Sequence, residues 1–336
     1  METLLYYPFL PVRVSSVLRL FSAVSLLCAV FLTSSAALAE ARVLTSIKPL
    51  QLIAAAVQDG VGSPEVLLPP GASPHHYALR PSDVRRVRDV ALLYWIGPDL
   101  ESFLPRVLAG RSKPSVAVQA LPGMHLRHFA DKHAEHDDHE QAHHEHAEDE
   151  QAVADQHDQD HRPGTVDAHL WLLPANARVI ATRMAADLSA ADPANAARYQ
   201  ANLSAFGKRL AALDQRLKQR LGAVADKPYF VFHEAYDYFE AAYGLQHAGV
   251  FSVLGEVQPG ARHVAAMRTR LEQAGPSCVF YEPPRRPRLA ETLIAGLPAT
   301  LAELDTMGGA LAVDGHGYET LLENLAGELA GCLEGL

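Results

Sequence analysis

The sequence predicts an α/β protein of two lobes, each built on a parallel four-stranded sheet flanked by helices, with one long helix joining them. Three observations carry that expectation. The short apolar runs are continuous rather than alternating, as strands buried on both faces require, and helical stretches separate them. These runs come in two series of four. Between the series lies the longest helical signal in the chain.

In the first series, strands are expected at 43–47, 66–68, 90–96 and 116–118, with helices near 50–58, 81–88 and 98–109. The second series has strands at 229–232, 248–251, 278–281 and 301–304, and helices near 234–243, 262–273, 288–295 and 317–332. The joining helix is expected over 194–221, with Asp192 as its N-cap and Pro193 at the first helical position. Ala196, Tyr199, Leu203, Phe206, Leu210, Leu213 and Leu217 alternate steps of three and four, which places one apolar stripe along it. At 1.5 Å per residue such a helix extends about 42 Å, enough to cross both lobes. The competing reading of the stripe is a coiled-coil dimer seam.

Residues 1–39 carry Arg13 and Arg19, an apolar core over 20–32, and the small-residue sequence Ala37-Leu38-Ala39. That order reads as a secretory signal peptide cleaved after Ala39. Its apolar run is short for a membrane span, and no later run is long enough, so an exported protein without membrane insertion is expected. The remaining 297 residues exceed one ordinary core and suggest two domains. The expected boundaries are 40–190 for the first lobe, 191–224 for the joining helix and 225–336 for the second lobe. Formal charge is −10 for the whole chain and −11 once the segment's two Arg and one Glu are removed. An acidic balance argues against nucleic acid and anionic membrane surfaces and suits a cationic ligand.

Of three cysteines, Cys28 falls in the signal segment, which leaves Cys278 and Cys332 as the one pair in an oxidising compartment. A disulfide between them is expected to tie the last helix to the second lobe's core.

The stretch 125–161 holds His125, His128, His133, His136, His139, His143, His144, His146, His157 and His161 among Asp and Glu. It has no apolar period and is expected to be a disordered loop. A concentrated His tract reads as auxiliary metal capture, foremost at His133, His136, His139, His143, His144 and His146; the plain alternative is a solvated acidic spacer.

Three other histidines stand at structural punctuation. His75 lies in GASPHHYALRPSD, after the second expected strand; His169 lies in DAHLWLL; His233 ends the apolar run of YFVFHEAY. Taken singly, each reads as a histidine satisfied by a backbone carbonyl. Together they offer three neutral imidazoles, the pattern that holds Zn²⁺ with one position open. In parallel α/β sheets ligands bind beyond the carboxyl ends of the strands, where His75, His233 and Asp305 are expected. Asp167 and Glu234 are expected either to fix imidazole tautomers from behind or to serve as surface and helix-terminal charges. One of His75 and His76 is expected to point away, and His247, His263 and His316 are read as non-ligands.

At these residues the chain resembles the ZnuA-like branch of the cluster A-I receptors, the zinc-binding proteins of bacterial ABC importers. GASPHHYALRPSD, DAHLWL, YFVFHEAYDYFEAAYGL, CVFYEPP, ELDTMGG and AGCLEG follow the family's order across the whole expected mature chain. The resemblance implies two α/β lobes joined by a rigid helix, with metal held in the cleft and surrendered to a membrane permease. It implies His75, His169 and His233 as the three His ligands and Asp305 as an acidic position that manganese-binding relatives use. Those relatives carry Glu where this chain has His233, which favours zinc. The cysteine pair matches a disulfide of some zinc-binding members. Some relatives have an acidic residue just before the first His; here Pro74 stands there, so the fourth ligand is open between Asp305, water and a loop histidine.

The resulting expectation is a non-enzymatic, monomeric periplasmic receptor that captures Zn²⁺ as cargo and delivers it to an ABC-transporter permease. The competing readings are a receptor for Mn²⁺, Fe²⁺ or Ni²⁺, a zinc buffer or chaperone centred on the His-rich tract, and a metallohydrolase. The last lacks an HExxH helix.

Overall fold

The computed structural model describes residues 42–129, 164–252, 260–284 and 286–336. The expected signal peptide lies outside the described residues, as does most of the His-rich tract, of which His125 and His128 alone are described. Glu40–Leu336 forms one compact unit.

The first sheet comprises β1 (Val43–Thr45), β2 (Glu65–Val66), β3 (Leu92–Trp95) and β4 (Ser115–Ala117), in the order β2-β1-β3-β4. The second comprises β5 (Tyr229–His233), β6 (Gly249–Ser252), β7 (Ser277–Tyr281) and β8 (Ala299–Glu303), in the order β6-β5-β7-β8. Every pairing is parallel. The continuous apolar runs have the expected cause, since every residue of β1, β3, β5 and β7 is buried. The two sheets also share a strand order, so each places its second-listed strand, β1 or β5, between two neighbours.

Helices α1 (Lys48–Gln58), α2 (Pro81–Asp89) and α3 (Pro105–Leu108) follow the first three strands, and each opens on Pro at one of its first two positions. Two longer helices come next, α4 (Pro174–Ala191) and α5 (Ala196–Gly222). The sequence reading did not separate α4. Its buried face is Pro174, Asn176, Ala177, Ile180, Ala181, Met184, Ala185 and Leu188, largely alanine, so it shows little apolar contrast although alanine is the best helix former.

Helix α5 starts later than expected, because Pro193–Asn195 forms a single 3₁₀ turn. Asp192 precedes that turn, and its carboxylate accepts from Asn195 Nδ2 at 2.7 Å and the Tyr199 hydroxyl at 2.8 Å. The apolar stripe of α5 packs on α1 and α4 and on the second lobe's α6 (Asp237–Tyr243) and α9 (Gly317–Glu334). Leu203 is only partly buried; Asn202 is buried instead and donates to Val57 O at 2.9 Å and Asp59 O at 2.8 Å, closing the carboxyl end of α1.

Helices α7 (Ala261–Ala274) and α8 (Arg288–Ile294) complete the second lobe. Helix α9 also packs on α1, so the last helix bridges the lobes, and one apolar core runs from Val43 to Leu333 through both. A second cluster, including Phe230, Phe232, Phe251, Met267 and Leu271, fills the outer side of the second sheet. Cys278 of β7 is disulfide-bonded to Cys332 of α9, with Cα atoms 6.3 Å apart. No helix among the described residues is long and apolar enough to cross a membrane.

Candidate metal centre

Three loops deliver the histidines. His75 lies between β2 and α2, in a segment fixed by Asp83, whose carboxylate accepts from the Arg80 backbone N–H and the Tyr77 hydroxyl, both at 3.0 Å. His75 is buried while its neighbour His76 is exposed, so the pair divides as the sequence suggested. His169 precedes the 3₁₀ turn Leu170–Leu172, whose three apolar side chains are fully buried. That turn is pinned to the second lobe: Trp171 Nε1 donates to Thr306 O at 2.9 Å, and the Tyr318 hydroxyl donates to Trp171 O at 2.7 Å. His233 is the last residue of β5, at the carboxyl edge of its sheet.

The three imidazoles converge. Ring centroids are 5.5 Å apart for His75 and His169, 5.5 Å for His75 and His233, and 5.0 Å for His169 and His233. One ligand-capable nitrogen from each lies within 4.8 Å of the others, and all three residues are buried. Two of the rings are oriented from behind by carboxylates. His169 Nδ1 is 2.7 Å from Asp167 Oδ1, which also accepts the His169 backbone N–H at 3.0 Å. His233 Nδ1 is 2.8 Å from Glu282 Oε2, and the Thr306 hydroxyl donates to Glu282 Oε1. With Nδ1 committed to a carboxylate, Nε2 is the nitrogen each ring presents to a metal.

Electrostatics suit the same end. Burial pushes His169 down to about 3, with His233 adding to the shift, and burial also holds His75 well below the ordinary histidine range. Both rings are therefore neutral at neutral pH, as ligands must be. Burial acts against charge on His233 too, but the hydrogen-bonded Glu282 carboxylate outweighs it and raises His233 overall. Against burial, the same contact and the Thr306 hydroxyl hold Glu282 down at about 2. Burial raises Asp167 to about 7, opposed by the His169 N–H.

Asp305 is not among the converging groups. Its Oδ1 accepts from the backbone N–H groups of Met307 and Gly308, and its Oδ2 from that of Gly309, all at 2.9 Å. The carboxylate is thus used to build the turn after β8. Of the two acidic residues singled out from sequence, Asp167 does stand behind a histidine, whereas Glu234 does not stand behind His233. Glu282 takes that place, one residue past the end of β7 and 49 residues from His233 in the chain. Its signal was a carboxylate just beyond a strand's carboxyl end; the pairing appears only once β5 and β7 are neighbours. His263 Nε2 is 3.0 Å from Val250 O, an ordinary backbone contact.

The family model for the periplasmic component A of the zinc-uptake complex, ZnuA, matches residues 43–332. The high-affinity zinc uptake system protein ZnuA of Yersinia pestis is 39% identical over 299 residues, 88% of this chain and 92% of the relative. The protein of the same name from Brucella abortus (strain 2308) is 36% identical over 316 residues, 90% of this chain and 95% of the relative. A crystal structure of ZnuA shares the fold with a TM-score of 0.68, at 21% identity, over 87% of this chain and 98% of that one. With the match running through both lobes, the joining helix and all three histidine loops, the chain belongs to the ZnuA family of periplasmic zinc-uptake components.

Proposed function

We propose that this chain is a periplasmic receptor that captures Zn²⁺ between its lobes and delivers it to the permease of an ABC importer. The observation that carries the reading is the group of three buried imidazoles with ligand atoms within 4.8 Å of one another. His75, His169 and His233 hold the ion, the latter two through Nε2, and water completes the tetrahedron. Asp305 shapes the turn beside the site and does not coordinate. The ion is cargo: family membership makes the chain a binding component and not an enzyme. The receptor acts as a monomer after removal of residues 1–39, and His133, His136, His139, His143, His144 and His146 are auxiliary capture groups.

Bridging ligands from two lobes also account for release. His75 and His169 come from the first lobe's side and His233 from the second, so a small separation of the lobes removes a ligand and lowers affinity steeply. The experiment is competitive Zn²⁺ titration of the full chain and of His169→Ala and His233→Ala. One tight equivalent is expected in the parent protein, weakened more than about a hundredfold in either variant. Parent-like affinity in a folded variant removes that residue from the ligand set.

A further inference from the structure

The turn after β8 stands between the supports of two of the histidines. Tyr281 and Glu303 are partners across β7 and β8, and the Leu304 N–H donates to Tyr281 O at 2.9 Å, so the two strands leave the sheet side by side. Glu282 and Thr306 therefore reach the same carboxyl edge. Asp305 fixes the backbone there through the N–H groups of Met307, Gly308 and Gly309, and Thr306 is only 2% exposed within that turn.

Thr306 uses two of its polar groups across this junction. Its hydroxyl donates to Glu282 Oε1, while Glu282 Oε2 is 2.8 Å from His233 Nδ1. Its carbonyl accepts from Trp171 Nε1 at 2.9 Å, and the Trp171 and His169 rings lie 5.4 Å apart. One residue is thus bonded both to the carboxylate behind His233 and to the anchor of the His169 loop. A carboxyl group turns easily about its last bond, because that torsion is broad and twofold. A hydroxyl on one oxygen removes that freedom and leaves the other oxygen aimed at the imidazole.

We propose that Thr306 is a positioning residue for zinc binding: its hydroxyl holds Glu282 in the orientation that fixes His233, and its carbonyl keeps that half of the site in register with the His169 loop. The proposal rests on the reading of the three histidines as the zinc ligands. Thr306 touches no ion itself. It reduces the ordering that the imidazoles must undergo when the ion arrives, so loss of its hydroxyl lowers affinity. Serine can replace it in this role, whereas valine, of the same branched shape, cannot.

The test is Zn²⁺ titration of the full chain against a chromophoric chelator, with Thr306→Val and Thr306→Ser as variants and thermal melts as the folding check. The tight equivalent is expected to weaken about tenfold in Thr306→Val and to stay within about twofold of the parent in Thr306→Ser. In a Glu282→Ala background, Thr306→Val is expected to cost less than about twofold more, because the hydroxyl then has no carboxylate to hold. Thr306→Ala removes the same hydroxyl and takes the place of the valine variant if that one does not fold. Parent-like affinity in the folded valine variant, equal weakening in the valine and serine variants, or the same tenfold loss with Glu282 removed would overturn the positioning role. His233→Ala separates this role from the ligand assignment. Retention of the tight equivalent in that variant strikes the ligand set, whereas its loss beside a parent-like Thr306→Val strikes Thr306 alone.

Discussion

Replacing Glu282 by Gln isolates what the carboxylate behind His233 contributes. Gln occupies the same volume, and its amide offers an oxygen to His233 Nδ1–H and an NH₂ to the Thr306 hydroxyl, so both contacts at this position are retained in altered form. What disappears is the negative charge 2.8 Å from the imidazole. A carboxylate in that position makes the opposite nitrogen more basic, and its loss costs about 10–100-fold in metal affinity, or roughly 1.4–2.7 kcal/mol. The same charge is what raises His233 against the effect of burial, so in the variant His233 loses its proton at lower pH. Chelator-competition titration from pH 5 to 8 reads both consequences. The variant should bind more weakly at pH 8, and its affinity should depend less on pH between 6 and 7. Affinity within twofold of the parent at every pH would refute the assignment of Glu282 as the group that tunes His233.

Several further outcomes are expected. In the parent protein, Zn²⁺ affinity should rise by about one order of magnitude per pH unit up to the raised value of His233 and flatten above it. The slope is one because only His233 must shed a proton in mild acid: His169, down at about 3, and His75, also lowered, are already neutral. A slope near three would contradict that order of titration. Asp305→Ala should leave the tight equivalent within about threefold but lower the melting temperature, since three backbone N–H groups lose their acceptor, at about 1–3 kcal/mol. A hundredfold loss of zinc affinity in a folded Asp305→Ala protein would make it a ligand. Changing both Cys278 and Cys332 to Ser opens a loop of 54 residues and should lower stability in denaturant titration by about 4 kcal/mol in the chain-entropy model. A change below about 1 kcal/mol would contradict the chain-entropy account of this disulfide.

Much of this architecture was legible because the signals were local. Continuous apolar runs marked all eight strands, and the stripe from Tyr199 to Leu217 marked the long helix. The three histidines stood out because each sits where a strand or a turn ends, which fixes direction before any tertiary contact is known. Helix α4 was missed because an alanine face carries no periodic contrast against a mixed background. Glu282 was missed for a different reason. Sequence neighbours suggest Glu234 as the partner of His233, whereas parallel pairing of β5 with β7 brings in a residue from the next strand end. Asp305 shows the converse: its position beyond β8 is right for a ligand, but whether a carboxylate faces an ion or its own backbone is set by the turn that follows, here Met307 to Gly309.

The central claim is that three imidazoles from two lobes hold one ion, and anomalous diffraction at the zinc edge from the full chain crystallised with one equivalent of Zn²⁺ tests it most directly. The expected result is a single strong peak with nitrogens of His75, His169 and His233 at about 2.0–2.1 Å. A strong peak held by other residues, with these three side chains turned apart, would contradict it.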